Sequence, residues 1–102
     1  MILTGKAKDN FLDSNGKKEA WINIMLPIYQ YALIIEWFDS VGIYIDVEFF
    51  RKNIKDEPQF VSSTTDEWNG LQPLRVQFNS RQLATKQAII KANNIYNERN
   101  II

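Results

Sequence analysis

Carboxylates are the side chains of this sequence that could supply acid–base chemistry or bind a divalent cation, because the chain contains no His and no Cys. Asp46 and Glu48 lie two residues apart, and Glu36 and Asp39 lie three residues apart. Paired carboxylates can hold a metal ion, or divide the acid and base roles as in glycosidases. The alternative is a solvated strand face and a polar helix edge, which we favour because nothing in the sequence marks a cleft around either pair.

The absence of Cys and the scattered positions of the Gly residues exclude several kinds of catalytic and binding site. Without Cys, the chain cannot form a disulfide, a thiol nucleophile or a Cys-based zinc site. The four Gly residues, at positions 5, 16, 42 and 70, are scattered and form neither a P-loop nor a dinucleotide-binding fingerprint. We therefore predict that the protein is not an enzyme and that it carries no metal and no cofactor.

Length and composition predict one domain spanning residues 1–102. Hydrophobic residues make up 45% of the chain, which is enough for a core and excludes global disorder.

The N-terminus has no apolar segment typical of a secretory signal. The most apolar stretch, residues 21–38, is interrupted by polar residues and a proline and does not read as a membrane span. We therefore expect a cytoplasmic protein.

Charge is balanced overall but unevenly distributed. Residues 1–70 carry 7 basic and 11 acidic side chains, a net charge of −4, whereas residues 71–102 carry 5 basic and 1 acidic, a net charge of +4. Either the two parts attract each other within one domain, or the C-terminal part offers a basic surface to a polyanion. We favour the first interpretation, because the total balances and the basic residues are sparse.

Hydrophobic periodicity predicts the elements that would position these residues. Pro27 suits the first turn of a helix that ends at Gly42, and strict alternation predicts a strand over Ile43–Phe50. Residues 17–25 could be helical or extended. We predict an α+β fold in the order α-α-β-β-β-α, a three-stranded antiparallel meander with its helices on one face. We expect the helices to cover Ile43, Ile45 and Val47 of the first strand and Leu74, Val76 and Phe78 of the third. The other segments are a helix at 5–13, strands at 59–64 and 74–78, and a helix at 81–99 with its core stripe at Ala84, Ala88, Ala92, Ile95 and Tyr96.

One apolar stripe on the second long helix has no obvious core partner. Leu33 and Trp37 fall roughly 40° and 80° around the helix from Tyr29, on the side opposite the expected core face. That core face comprises Ile28, Tyr31, Ile34, Ile35, Phe38 and Val41. The stripe is either covered by residues 11–12 and 21–24 of the same chain, or it is a surface for self-association or another protein. If the protein has a contact surface, we expect Tyr29, Leu33 and Trp37 to form its centre.

A nucleic-acid site would need its basic residues on one surface. For duplex RNA the candidates are Arg75, Arg81 and Lys86, but the basic residues of the last helix are spread around its cylinder. We therefore do not expect these three side chains to form one connected surface.

Three segments carry a resemblance to known proteins. Leu3–Lys8, Phe38–Ile43 and Ser80–Asn93 together resemble small proteins of bacteriophages and prophages that have no assigned activity. The shared features are a helix cap, a helix-stop glycine and an Ala-rich helix. The resemblance implies an accessory protein that acts through protein–protein contacts, and it implies no catalytic residues.

The order α-β-β-β-α from residue 27 onward is also similar to that of double-stranded-RNA-binding domains. Ser80, Ala84, Ala88 and Ala92 match the small-residue stripe of their last helix, and Arg81 and Lys86 lie near its start. The lysine cluster and the His-containing loop of that family have no counterpart here. A nucleic-acid-binding module is therefore the alternative function.

Overall fold

The long helices and the three strands of the fold are those that the hydrophobic periodicity predicts. A computed structural model describes residues 1–16, 18–51, 53–70 and 73–100. Within these ranges the chain forms α1 (Gly5–Asn15), α2 (Glu19–Asn23), α3 (Pro27–Ser40), β1 (Ile43–Phe50), β2 (Gln59–Asp66), a 3₁₀ turn (Glu67–Asn69), β3 (Pro73–Phe78) and α4 (Arg81–Arg99). The predicted α+β class and the order α-α-β-β-β-α are confirmed.

Local signals set several boundaries as expected. Pro27 opens α3, and Gly42 follows the helix with φ +80°, a conformation that suits glycine and lets the chain turn directly into β1. The side-chain oxygen of Ser80 accepts the Leu83 amide at 3.1 Å and so caps α4. Part of the ambiguous segment 17–25 forms the short helix α2, and residue 17 lies outside the described residues.

The sheet is an antiparallel meander in the order β1-β2-β3. Ile43 pairs with Asp66 at one end of the β1–β2 ladder, and Phe60 pairs with Phe78 at the start of the β2–β3 ladder. Alternation gives the sheet an inner face toward the helices, with Ile43 and Thr64 among its buried residues. The outer face has no helix against it in the described part of the chain, and it presents the even-numbered residues of β1.

The core lies between the inner sheet face and the helices. The predicted stripe of α4 is confirmed, because Ala84, Ala88, Ala92 and Tyr96 are buried and Ile95 packs against the same cluster. The small alanines let α4 approach the sheet closely. The largest fully buried side chains are Leu3, Phe11, Ile22, Ile34, Phe38, Ile43 and Ile89.

One part of the predicted core is wrong. We expected the helices to cover Leu74, Val76 and Phe78 on β3, but Leu74 and Val76 remain about half exposed. The physical reason is the path of α4, which packs mainly over β1 and β2. The inner face of β3 therefore stays largely open.

The N-terminal helix is held by side chains from the far end of the chain. The Asn93 amide oxygen accepts the Thr4 backbone N–H at 2.9 Å, and the Asn97 amide oxygen accepts the Ala7 N–H at 2.9 Å. In return, Asn97 donates to the Thr4 carbonyl at 3.0 Å. Two first-turn amides of α1 thereby gain partners that the helix itself cannot provide, so α1 is fastened to α4.

Candidate interaction surfaces

Trp37, one of the three residues predicted to form the centre of a contact surface, lies in the core. Only 6% of its surface is exposed. Its ring centroid lies 6.0 Å from that of Phe11, 4.9 Å from that of Phe38 and 4.9 Å from that of Tyr96. The prediction that Trp37 is an accessible contact residue is therefore wrong, because α1 and α4 cover this side of α3.

The other two residues of the predicted stripe have different surroundings. Leu33 is partly buried and packs against the core cluster, whereas Tyr29 is mostly exposed. The apolar side chains in the C-terminal half of α3 are thus covered by the fold, whereas Ile28 and Tyr29 near its start are exposed. A single helical stripe could not reveal this, because the covering residues come from elsewhere in the chain.

The exposed apolar residues concentrate just before and within the first turn of α3. We define the α2–α3 apolar segment as Trp21, Ile24, Leu26, Ile28 and Tyr29, which are all more than 60% exposed. Ile24 reaches 82% and Ile28 reaches 71%. The predicted place of Ile28 on the core face of α3 is therefore wrong, and Trp21 and Ile24 do not cover the stripe as one of the two alternatives required. The sequence signal was available: no charged residue occurs between Glu19 and Glu36.

Part of this segment borders an apolar groove between the start of α3 and the start of α4. The groove has a volume of about 560 Å³. Arg81 is its one charged lining residue among those described, and the Arg81 guanidinium lies over the Phe60 ring, 5.0 Å from its centroid. The remaining lining residues are Leu26, Pro27, Ile28, Tyr31, Ala32, Gln82 and Thr85.

A second groove lies between β3 and α4, where the inner sheet face is open. We call it the β3–α4 groove, and its volume is about 420 Å³. Its floor includes Ser62 and Ala88, which are buried. Its walls comprise Leu74, Arg75, Val76 and Phe78 on the β3 side and Gln87, Ile90, Lys91 and Asn94 on α4.

The three basic residues proposed for duplex RNA line no common groove in the described part of the chain. Arg75 borders the β3–α4 groove, and Arg81 borders the groove at the start of α3. Lys86 is exposed on α4 and lines neither. That Arg75, Arg81 and Lys86 form no connected surface for duplex RNA stays our prediction.

The carboxylate pairs lie on the surface. Asp46 and Glu48 are exposed on the outer face of β1, and Glu36 and Asp39 are exposed on α3. Partial burial, and then the negative charge of Glu36, raise the pKa of Asp39 above its usual value. Among the described residues, no group of three or more acidic side chains is arranged to hold a metal ion.

Two charged side chains of the described residues are enclosed together, Asp66 at the end of β2 and Arg99, the last residue of α4. Arg99 forms an ion pair with Asp66 and donates to the Val41 carbonyl at 2.7 Å. The guanidinium carbon lies 4.2 Å from the ring centroid of Trp68. Both charged side chains are more than nine-tenths buried. This cluster joins α4 to the ends of α3 and β2, and we interpret it as a structural element.

Comparisons of the chain with known proteins identify no relative. No protein-family model, no curated protein and no solved structure matches the chain. Within the described ranges, no helix combines the length and the apolarity that a membrane span requires. The functional proposal therefore rests on the surfaces of the chain itself.

Proposed function

We propose that the protein acts by binding polypeptide chains, and that a second copy of itself docks on the α2–α3 apolar segment. The observation that carries this proposal is the exposure of five large apolar side chains within nine residues, Trp21 to Tyr29. Single exposed apolar residues are common on proteins, whereas a local concentration of them is typical of an interaction site.

The size of the exposed surface supports this interpretation. At the exposures given above, the five side chains present on the order of 500 Å² of apolar surface. A standard interface buries about 800 Å² on each partner. The segment could therefore supply most of one side of such an interface, with polar residues at its rim. Two of the five are aromatic, as is common at interface centres.

The absence of charged residues from the α2–α3 apolar segment favours a second copy of the chain as its binding partner. Residues 20–35 contain no Asp, Glu, Lys or Arg. An interface related by two-fold symmetry brings the same patch of both subunits together, so a charged patch would face like charges. An uncharged apolar patch avoids this repulsion. The acidic residue next to the segment, Glu19, is already paired with Lys8 at 2.9 Å.

The biological role that fits such a protein is the one implied by the resemblance to phage and prophage proteins. We propose a small accessory protein that works through protein–protein contacts and not through chemistry. Self-association would then be the means by which it presents its remaining surfaces in pairs.

Labelling of single cysteines tests the proposal, because the chain contains no Cys of its own. Ile24→Cys introduces a thiol into the segment, and Ile54→Cys introduces a matched control at another isoleucine that is 86% exposed. We expect the maleimide labelling rate at position 24 to fall at least about tenfold as protein concentration rises from low micromolar to millimolar. The rate at position 54 should stay constant. Equal rates at both positions over the whole range would contradict self-association through this segment.

A further inference from the structure

β1 is an edge strand, and its backbone is unpaired on the side that faces away from β2. We call this side the β1 edge. The sheet order is β1-β2-β3, so no strand among the described residues pairs with it. The eight residues of β1 pair with β2 in continuous register, without a bulge and without a proline. Bulges, prolines and short length are devices that keep an edge strand from pairing with another chain. β1 has none of them and can accept a further strand.

One hydrogen bond fixes which backbone groups of β1 face this edge. The Gly42 carbonyl accepts the Glu67 N–H at 2.9 Å, so it points toward the continuation of β2. In a trans peptide the N–H of the next residue, Ile43, points the opposite way. Because this direction alternates along an antiparallel strand, the N–H and C=O groups of Ile45 and Val47 also face the β1 edge. An added strand would bond to these groups.

The side chains along the β1 edge alternate between apolar and acidic. On the inner face of the sheet, Ile45 and Val47 are half-buried and Phe49 is 55% exposed. On the outer face, Asp46 and Glu48 are exposed, and neither carboxylate forms an ion pair with another described residue. Opposite charges on neighbouring strands attract. An added strand would therefore be most stable with apolar residues on the inner face and cations on the outer face.

Arg75 is a cation on the same outer face, but it lies on the far strand of the sheet. Asp46 and Arg75 both pair with Ser63 of β2, so their backbones are two strand spacings apart, roughly 10 Å. The two side chains form no ion pair. A strand at the β1 edge would lie one spacing from Asp46, roughly 5 Å. A cation on that strand is therefore better placed than Arg75 to pair with the carboxylates of β1.

A second copy of this chain is a poor partner for the β1 edge. Two β1 strands related by two-fold symmetry pair most fully when the axis passes beside Asp46 or Val47. These registers place Asp46 opposite Asp46 or opposite Glu48, and like charges directly opposite are destabilising. The other edge strand, β3, begins at Pro73, which has no N–H to donate, and it carries one cation, Arg75. The β1 edge is therefore suited to a different polypeptide.

From these observations we propose that the β1 edge binds an extended segment of a partner polypeptide in which basic and apolar residues alternate. The segment adds a fourth strand to the sheet. Its basic residues lie beside Asp46 and Glu48, and its apolar residues lie beside Ile45 and Val47. Backbone hydrogen bonds supply the affinity, and the alternating side chains supply the selectivity. The inference goes beyond the proposed self-association, because it concerns a different surface and a different partner.

Selection from a library of random 10-residue peptides, with the intact chain as bait, tests the proposal. We expect the enriched peptides to be net positive and to alternate Lys or Arg with apolar residues. The affinity of the most enriched peptide is then measured by fluorescence anisotropy. Asp46→Lys with Glu48→Lys should weaken binding at least about tenfold. The matched control, Asp9→Lys with Asp13→Lys, reverses two exposed carboxylates of α1 and should change the affinity by less than about threefold.

Two further measurements separate strand addition from a general attraction of a basic peptide to acidic side chains. The peptide is N-methylated at alternate backbone nitrogens, in both possible registers, which leaves its charge unchanged. The register that removes the donors facing the β1 edge should weaken binding at least about tenfold, and the other register should not. In hydrogen exchange measured by NMR, the bound peptide should slow the amides of Ile45 and Val47. The Asp46 amide, which faces β2, should be unaffected.

The proposal is overturned if no peptide is enriched, if the enriched peptides are acidic, or if both N-methylated peptides bind like the parent peptide. It is equally overturned if the chain alone assembles beyond dimers and Asp46→Lys with Glu48→Lys abolishes this, because a second copy would then occupy the edge. Circular dichroism confirms that each variant is folded, and the N-methylated peptides test the unaltered protein in any case. Ile24→Asp, in the α2–α3 apolar segment, should leave the peptide affinity unchanged, so the two proposals can fail separately.

Discussion

Arg99 and Asp66 form a buried ion pair that joins the last helix to the end of β2. Arg99 also donates to the carbonyl oxygens of Val41 and Gly42, at 2.7 and 3.4 Å. The Asp66 carboxylate accepts the Trp68 amide at 3.0 Å, which caps the 3₁₀ turn. One guanidinium therefore connects the ends of α4, α3 and β2, three parts of the chain that are distant in sequence.

Removal of this cation should destabilise the fold strongly. Arg99→Met keeps an apolar stem but removes the positive charge that balances a buried carboxylate, and such a change costs about 3–5 kcal/mol. We expect this loss in the free energy of unfolding measured by urea denaturation. Arg75→Met, at an exposed cation, should change it by less than about 0.5 kcal/mol. A loss below 1 kcal/mol for Arg99→Met would contradict the structural role of the ion pair.

The hydrogen bonds that the start of α1 forms with Asn93 and Asn97 of α4 lead to a residue-specific prediction. Asn97→Ala removes the acceptor of the Ala7 amide, and Asn93→Ala removes the acceptor of the Thr4 amide. We expect hydrogen exchange measured by NMR to accelerate about 10- to 100-fold at the matching amide, because an unsatisfied partner costs about 1–3 kcal/mol. Asn94→Ala, at an exposed residue of the same helix, is the control. Unchanged hydrogen exchange in both Asn97→Ala and Asn93→Ala would show that α1 is held by its apolar contacts alone.

Truncation of Trp37 should affect mainly stability, whereas truncation of Trp21 should affect mainly self-association. Trp37→Ala opens a cavity among Phe11, Phe38 and Tyr96, so it should lower the free energy of unfolding by about 3–5 kcal/mol. Trp21→Ala, at an exposed residue, should lower it by less than about 1 kcal/mol and weaken self-association instead. Denaturation followed by circular dichroism measures the first effect. If Trp37→Ala were as stable as the unaltered protein, the core position of this side chain would be wrong.

Tyr44 should titrate above the ordinary range for tyrosine. The negative charge of Glu67, foremost, together with desolvation and the hydrogen bond to Glu67 at 3.3 Å, raises the pKa of the Tyr44 phenol. Glu67→Gln removes the charge, so the pKa of Tyr44 should move down toward its usual value. NMR titration of the ring carbon that bears the hydroxyl measures this pKa, with Tyr44→Phe for assignment. An unchanged or higher pKa in Glu67→Gln would contradict the assigned cause.

Local periodicity was sufficient to predict the three long helices, the three strands and their order, but it left the segment of α2 undecided. Strict alternation gave the bounds Ile43–Phe50 of β1, and the alanine spacing gave the buried side of α4. These predictions depend only on which neighbours along the chain share a face. The same reasoning could not place α1, because its attachment depends on Asn93 and Asn97 about 90 residues away.

The interaction surfaces were the least predictable part of the molecule. Trp37 and Ile28 belong to one helix, yet one is buried and the other is exposed. The difference arises from which segments pack over each end of α3, and a helical wheel contains no such information. The open inner face of β3 has the same origin, since alternation identifies the face of Val76 but not how far α4 extends over it.

The central claim is self-association through the α2–α3 apolar segment, and sedimentation equilibrium of the intact chain tests it most directly. We predict a monomer–dimer equilibrium with a dissociation constant in roughly the micromolar range, the weak end of what interfaces of standard size show. Ile24→Asp should weaken the dimer at least about tenfold, because it places a charge in the apolar contact. Ile54→Asp, at an equally exposed isoleucine, should leave it unchanged. A chain that stays monomeric up to roughly 1 mM, or an equal effect of both substitutions, would contradict the account.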